Sequence, residues 1–302
     1  MEANKEFEVI IVGGSYAGLS AALALGRSLR KVLILDSGQP CNRMTPHSHN
    51  FITQDGETPA AIAEKARAQV LKYDSVQFLQ DTALSGIKTE DGFLITTQSG
   101  KSFSARKLIF ATGIWDIMPD IKGFAECWGI SVVHCPYCHG YELRNQKTGI
   151  LANGERAFHL ASLVNNLTDD IFILTSGPAA FEEPQLEKFR EHNMEIIETE
   201  VREIEHSEGQ IKRLIFDDGR AMAFESMYAA LPFRQHSDIP AGLGCKMTDL
   251  GYIEVDSFQR TNVEGVYACG DNSAMMRSVA NAVYTGNLTG AIVNSELTGE
   301  LF

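Results

Sequence analysis

The segment from Phe7 to Asp36 limits the possible folds more than any other part of the chain. Phe7-Glu8-Val9-Ile10-Ile11-Val12 is an apolar, β-branched run, the pattern of a strand buried on both faces of a parallel sheet. It leads into Gly13-Gly14-Ser15-Tyr16-Ala17-Gly18 and then an Ala/Leu-rich stretch, 19–29, that reads as a helix. Val32-Leu33-Ile34-Leu35 follows as a second strand and ends at Asp36. Strand, helix and strand in this order make a βαβ unit. A glycine turn between strand and helix lets backbone N–H groups approach a pyrophosphate, and an acid at the end of the second strand holds ribose hydroxyls. Asp36 lies 23 residues after Gly13, close to the ~20 expected of such a site. The middle glycine of G-x-G-x-x-G is replaced by Ser15, which is small enough to keep the approach open. The competing reading is a glycine-rich connector with no ligand. Strand, helix and acid in register favour the nucleotide site.

A chain of 302 residues exceeds one ordinary domain, and two compact units are expected. Twenty-six basic against 39 acidic side chains leave a net charge of −13, which argues against nucleic acid bound through its phosphates. No run approaches the ~18 apolar residues of a membrane span. The acidic start, Met1-Glu2-Ala3-Asn4-Lys5-Glu6, lacks an apolar leader, so a soluble, cytoplasmic protein is expected.

Further along, Thr58-Pro59 opens a helix with a capping hydroxyl and a first-turn proline. Short β-like pieces fall at 76–79, 93–97 and 102–105, and Lys107-Leu108-Ile109-Phe110 is another buried strand, closed by Ala111-Thr112-Gly113. A second βαβ pattern follows, with strand 148–152, helix 157–167 and strand 171–175. Asp217-Asp218-Gly219 marks a hairpin. From about 235 the chain is loop-rich as far as Gly265-Val266-Tyr267-Ala268-Cys269-Gly270-Asp271, and a last helix spans about 279–297. The fold class is α/β, with two similar nucleotide-binding folds in tandem.

Six cysteines are too few and too scattered for a disulfide framework, but Cys135-Pro136-Tyr137-Cys138-His139 stands apart. Two thiols at this spacing close a small reversible disulfide ring, and His139 is placed to move the proton that each exchange step requires. Zinc is the competing reading, with His134 or His139 as a third ligand. No second C-x-x-C or H-x3-H completes four ligands, so no metal is assigned. Ala111-Thr112-Gly113 and Gly270-Asp271 each close an apolar strand with small residues where a cofactor can pass. Val279 and Ala280, at the start of the last helix, present backbone donors to an anionic group.

Taken together, these motifs resemble the low-molecular-weight thioredoxin reductases, FAD-dependent pyridine nucleotide-disulfide oxidoreductases, over essentially the whole chain. The resemblance implies two Rossmann-like, three-layer ββα domains. A discontinuous FAD domain takes 1–115 and 236–302, and an inserted NAD(P)-binding-like domain, 116–235, carries the C-x-x-C. By the same resemblance Gly13, Gly14, Ser15, Tyr16, Ala17 and Gly18 cradle the FAD pyrophosphate and Asp36 holds its ribose. Ala111, Thr112, Gly113, Gly270 and Val279 line the cofactor, Asn50 sits near the flavin, and Asp271 contacts the ribityl–phosphate segment. Cys138 is the flavin-side thiol and Cys135 the exchanging one, and His139 replaces the acid that bacterial members place there. A homodimer is implied, with a thioredoxin-like protein or a small dithiol or disulfide as substrate.

The pyridine-nucleotide motif departs from this pattern. Where G-x-G-x-x-A is expected the chain reads Ala152-Asn153-Gly154-Glu155-Arg156-Ala157. Where NADPH-using members carry arginines for the 2′-phosphate it reads Thr175-Ser176-Gly177-Pro178, which offers hydroxyls but no guanidinium. NAD(P)H use is therefore in doubt. The first expectation is a reductase moving electrons between FAD, a Cys135–Cys138 disulfide and an external disulfide, with its donor open. The alternative is an oxygen-dependent dithiol oxidase acting on a small molecule, a branch that also carries C-x-x-C-His. A non-catalytic flavin-binding module is a third, minor reading. His47 and His49 are expected to face solvent.

Overall fold

The computed structural model describes residues 5–302, so the first four residues of the acidic start lie outside the described residues. The chain opens with β1 (Lys5–Val12), α1 (Tyr16–Arg27), β2 (Val32–Asp36), α2 (Pro59–Val70), β3 (Val76–Gln80), β4 (Ala83–Thr89), β5 (Gly92–Thr97), β6 (Ser102–Phe110) and β7 (Ile114–Asp116). The middle holds α3 (Phe124–Cys127), β8 (Val132–Val133), α4 (Pro136–His139), β9 (Thr148–Leu151), α5 (Gly154–Val164), β10 (Ile171–Leu174), α6 (Glu183–Glu191) and β11 (Glu195–Ile197). It continues with β12 (Val201–Ser207), β13 (Gln210–Phe216), β14 (Ala221–Ala223) and β15 (Ser226–Ala229). The end supplies β16 (Phe233–Gln235), α7 (Ile239–Gly242), β17 (Val266–Ala268) and α8 (Val279–Gly299).

These elements form two compact units. The first takes the chain up to Arg43, Glu57–Trp115 and Phe233–Phe302; the second takes Met44–Gly56 and Asp116–Pro232. In the first unit β3, β2, β1, β6 and β17 pair in parallel, and β5 and β4 extend the sheet beyond β6 as an antiparallel meander. Val9, Ile10 and Ile11 of β1 are fully buried, as a strand covered on both faces requires. Helices α1 and α8 pack on each other, and Gly286 and Gly290 of α8 lie against the backbone of Ala17 and Ala21.

The second unit has a five-stranded parallel sheet in the order β11, β10, β9, β15, β8 and a separate antiparallel sheet of β12, β13 and β14. Its core includes Val133, Ile150, Ala157, Val164, Ile173 and Tyr228. Among the described residues no helix is long and apolar enough to cross a membrane.

Several boundaries differ from the sequence reading. The first helix begins at Tyr16, because Ser15 takes the extended backbone of an N-cap, and it stops at Arg27. Leu29 adopts φ 60°, outside the helical region. The pieces at 102–105 and 107–110 are one strand, β6, and β4 is a strand that the sequence reading did not anticipate.

Candidate active site

The carboxyl ends of β1, β6 and β17 lie side by side, since Val12 is in register with Phe110 and Phe110 with Ala268. That register brings Gly13, Ala111 and Cys269 to one rim of the sheet, at the point where β2 and β6 flank β1 on opposite sides. It is the crevice in which doubly wound sheets bind ligands. Gly13 has φ +106°, and a Cβ there would lie 2.2 Å from Ala111 O; a Cβ on Gly18 would lie 1.8 Å from Gly13 O. Both positions therefore need glycine for the turn to close on the sheet. Ser15 caps α1 without a side-chain hydrogen bond, and the first turn of α1 holds no acid. The backbone donors of that turn keep a positive end for a phosphate.

Asp36 Oδ1 accepts from Gly14 N–H at 2.8 Å and Oδ2 from Gly38 N–H at 3.1 Å. The carboxylate is thus fixed beside the glycine turn, with further lone pairs left for ribose hydroxyls. Gly113 has φ +64° and open space where a Cβ would project. Gly270 N–H donates to Thr285 Oγ1 at 3.1 Å, and Asp271 receives the Cys41 thiol at 3.7 Å and lies 3.9 Å from Arg277 Nε. Val279 is the first residue of α8, whose cap Ser278 accepts from Asn281 N–H. One residue of this rim went unread in the sequence. Asn272 is fully buried, donates to Phe110 O at 2.8 Å and Thr112 Oγ1 at 3.2 Å, and leaves its own Oδ1 without a partner. An orphaned buried acceptor beside a glycine cradle fits a bound group with donors to offer. The residues present fit FAD.

Asn50 lies in the second unit, and its N–H donates to Asp55 Oδ1 at 2.7 Å. The same unit carries Cys135, Cys138 and His139. The two cysteines are joined in a disulfide with Cα atoms 5.3 Å apart. Cys135 caps the short helix α4 and its sulfur accepts from Cys138 N–H at 3.2 Å. Pro136 at the first helical position fits a turn that needs no donor there. His139, the last residue of α4, is depressed to about 4, first by burial and second by the charge of His49. Its imidazole is neutral at pH 7 and able to accept a proton. Tyr137 and Tyr141 are exposed on either side of Cys138.

The second glycine turn, between β9 and α5, is held by the chain itself. Asn153 Oδ1 accepts from Gly154 N–H and from Ala180 N–H, each at 2.9 Å, and Asn153 Nδ2 donates to Pro178 O at 2.9 Å. Glu198 draws in the same loop, its side chain accepting from Ala179 N–H and its carbonyl from Gly177 N–H, both at 2.7 Å. The buried Thr175 hydroxyl, a candidate ribose partner in the sequence, donates to Gly177 O at 2.7 Å. Beside this loop is a shallow cavity of about 420 Å³ lined by Glu195, Glu198 and Arg220 among others. The Arg220 guanidinium is taken up by Asp218 at 2.6 Å and Thr199 at 3.0 Å. Replacing Asn153 with Ala removes three hydrogen bonds of a part-exposed clamp. A loss of about 1–2 kcal/mol is expected, read as a lowered melting temperature with FAD content unchanged.

A dinucleotide cradle and a C-x-x-C disulfide on two α/β units define a flavin-linked disulfide oxidoreductase. The description Pyridine nucleotide-disulphide oxidoreductase matches residues 7–286, and the chain belongs to that family. It is 32% identical to the thioredoxin reductase tcpT of Claviceps purpurea over 100% of this chain and 97% of the relative. It is also 32% identical to the thioredoxin reductase aclD of Aspergillus oryzae over 96% of each chain. The crystal structure of an oxidoreductase from Agrobacterium tumefaciens superposes with a TM-score of 0.91 at 34% identity, covering 97% of this chain and 99% of that one. The protein is a thioredoxin-reductase-like, FAD-dependent oxidoreductase.

Proposed function

We propose that this protein oxidises dithiols to disulfides through Cys135 and Cys138, with dioxygen rather than NAD(P)⁺ as the final acceptor. The observation that carries this reading is the self-closed second glycine turn. Asn153 and Glu198 hold the 177–180 loop at the amino end of α5, where a dinucleotide pyrophosphate would need room. Glu155 adds a negative charge to the same helix turn, and the nearby Arg220 is already paired. A 2′-phosphate would find no guanidinium to pair with. The reductase direction is the second reading, favoured by the names of the relatives.

FAD would be held by Gly13 to Gly18, Asp36, the 111–113 turn, Asp271 and the start of α8; when bound it accepts two electrons from a dithiol pair and returns them to dioxygen. The chain's own residues supply the thiol chemistry. Cys135 exchanges with the substrate, and Cys138 leaves as its thiolate when the disulfide opens. His139, neutral at pH 7, takes the proton of the incoming thiol. A homodimer belongs to the reading on the resemblance alone.

Oxygen uptake by the purified yellow protein tests the proposal. Dithiothreitol is expected to drive steady uptake and NADPH none; uptake with NADPH at a comparable rate would overturn it. The pH profile adds a check on His139. An imidazole that ordinarily titrates at 6.5 is held to about 4, so it stays a base through neutral pH and is lost only as pH falls through about 4. The enzyme-side break in log(kcat/KM) for the dithiol is expected near pH 4, not 6.5.

A further inference from the structure

The side-chain amide of Asn272 can stand in only one orientation. Its nitrogen donates to Phe110 O at 2.8 Å, and two carbonyl oxygens cannot bond each other, so Nδ2 faces that strand end and Oδ1 faces away. Nδ2 also donates to Thr112 Oγ1 at 3.2 Å. The backbone of the same residue is held too, its carbonyl accepting from Ile253 N–H at 2.8 Å and from Gln235 Nε2 at 2.9 Å. The side chain is fully buried and pinned, yet Oδ1 has no hydrogen-bond partner among the described residues. Leaving a buried amide oxygen unpaired is costly, and working proteins rarely do so. Thr112 supplies the complementary group beside it. Its hydroxyl oxygen accepts from Asn272, which leaves its own proton to donate.

The order of the strands fixes which part of a dinucleotide this pair would meet. In the parallel sheet β2, β1 and β6 are neighbours in that order. Asp36, the acid suited to a ribose, closes β2, and the Gly13 turn, suited to a pyrophosphate, follows β1. Asn272 is fastened to the end of β6, one strand beyond the glycine turn on the side away from Asp36, with strands about 4.8 Å apart. A Cβ on Gly13 would lie 3.1 Å from Thr112 N, so the two turns adjoin. An FAD with its adenosine ribose at Asp36 and its pyrophosphate at Gly13 turns its flavin half toward Asn272. That half carries neutral donors, the ribityl hydroxyls and the imide N–H of the ring, whereas the pyrophosphate has none at pH 7.

We infer that Asn272 is a specificity-determining residue for the cofactor, its Oδ1 accepting a hydrogen bond from a neutral donor on the flavin half of FAD, a ribityl hydroxyl or the imide N–H. The inference needs the FAD site but not the dithiol-oxidising reading, because it concerns binding and not the source of electrons. A buried acceptor of this kind rejects a ligand that lacks the matching donor.

The test is competitive exchange on the FAD-loaded full chain. Equal amounts of FAD and one analogue are supplied in excess, and the bound flavins are identified after gel filtration. The analogues are the 2′-, 3′- and 4′-deoxyribityl forms of FAD, each short of one hydroxyl, and 3-methyl-FAD, which lacks the imide N–H. Wild type is expected to prefer FAD over one of them at least about tenfold, and which one distinguishes hydroxyl from imide. In Asn272→Ala that preference is expected to fall to about threefold or less. Should Asn272→Ala not fold by circular dichroism, Asn272→Ser is read by the same criterion. A wild type that prefers FAD less than tenfold over every analogue would overturn the inference. So would a preference that survives above threefold in the variant, since another residue would then read the donor.

Discussion

Cys138→Ser is expected to abolish dithiol oxidation, lowering turnover by at least ~10³-fold, while the protein stays yellow and folded. The disulfide with Cys135 is the only one formed among the described residues, and the other four cysteines are in no disulfide. Cys127, Cys245 and Cys269 are buried, with thiols pushed upward by that burial, so they offer little thiolate to substitute for the lost one. Serine fills nearly the same space, so packing around α4 is kept. On the proposed assignment FAD is held in the first unit, at the turns after β1 and β6, so its content is expected to survive the substitution. The same substitution separates the enzyme from a flavin-binding module, which would keep its partner. Substantial turnover in Cys138→Ser would remove the C-x-x-C from the mechanism.

Gly13→Ala is the second large effect, and it acts on the cofactor instead of the chemistry. An alanine Cβ would lie 2.2 Å from Ala111 O, and the φ of +106° is one that L side chains rarely adopt. Neither neighbour can retreat: Gly13 N–H donates to Leu35 O and Ala111 N–H to Val12 O, each at 2.8 Å. Strain of this kind costs about 1–3 kcal/mol before the clash is counted. The expected protein is colourless or nearly so, with a flavin-to-protein absorbance ratio at least about tenfold below wild type and a melting point lower by ~5 °C or more. Circular dichroism separates cofactor loss from failure to fold. A fully yellow Gly13→Ala protein of unchanged melting point would contradict the assignment of this turn to FAD.

Much of the scaffold was legible because parallel strands buried on both faces write themselves as unbroken apolar runs. Residues 7–12, 32–36, 107–110 and 171–174 could be read for that reason, and the glycine turn after the first of them followed. Strand β4 escaped because Leu84 and Ile87 point outward and are exposed, so its pattern carries no inward alternation. Helix starts were placed three residues late at α1 and α5, where Ser15 and Asn153 are the caps and the apolar rhythm begins only after them. The weakness of the second nucleotide site was visible in Ala152 and in the missing arginines. Its closure was not, because Asn153 with Pro178 and Ala180, and Glu198 with Gly177 and Ala179, meet only in the folded unit. His49 was expected to face solvent. The structure sets it between Glu142 and Asp55, a pairing of residues 93 positions apart in the first case that no local pattern encodes.

On the proposed mechanism electrons enter from a dithiol and not from a nicotinamide, and anaerobic titration of the FAD-loaded protein distinguishes the two. NADPH and then NADH are added in small excess while the visible flavin band is followed, and a dithiol is added last. No bleaching by either nucleotide is expected, with rapid bleaching by the dithiol and recovery of the band when air is admitted. Stoichiometric bleaching by NADPH would contradict it, and would mean that the loop held by Asn153 and Glu198 opens to admit a nucleotide.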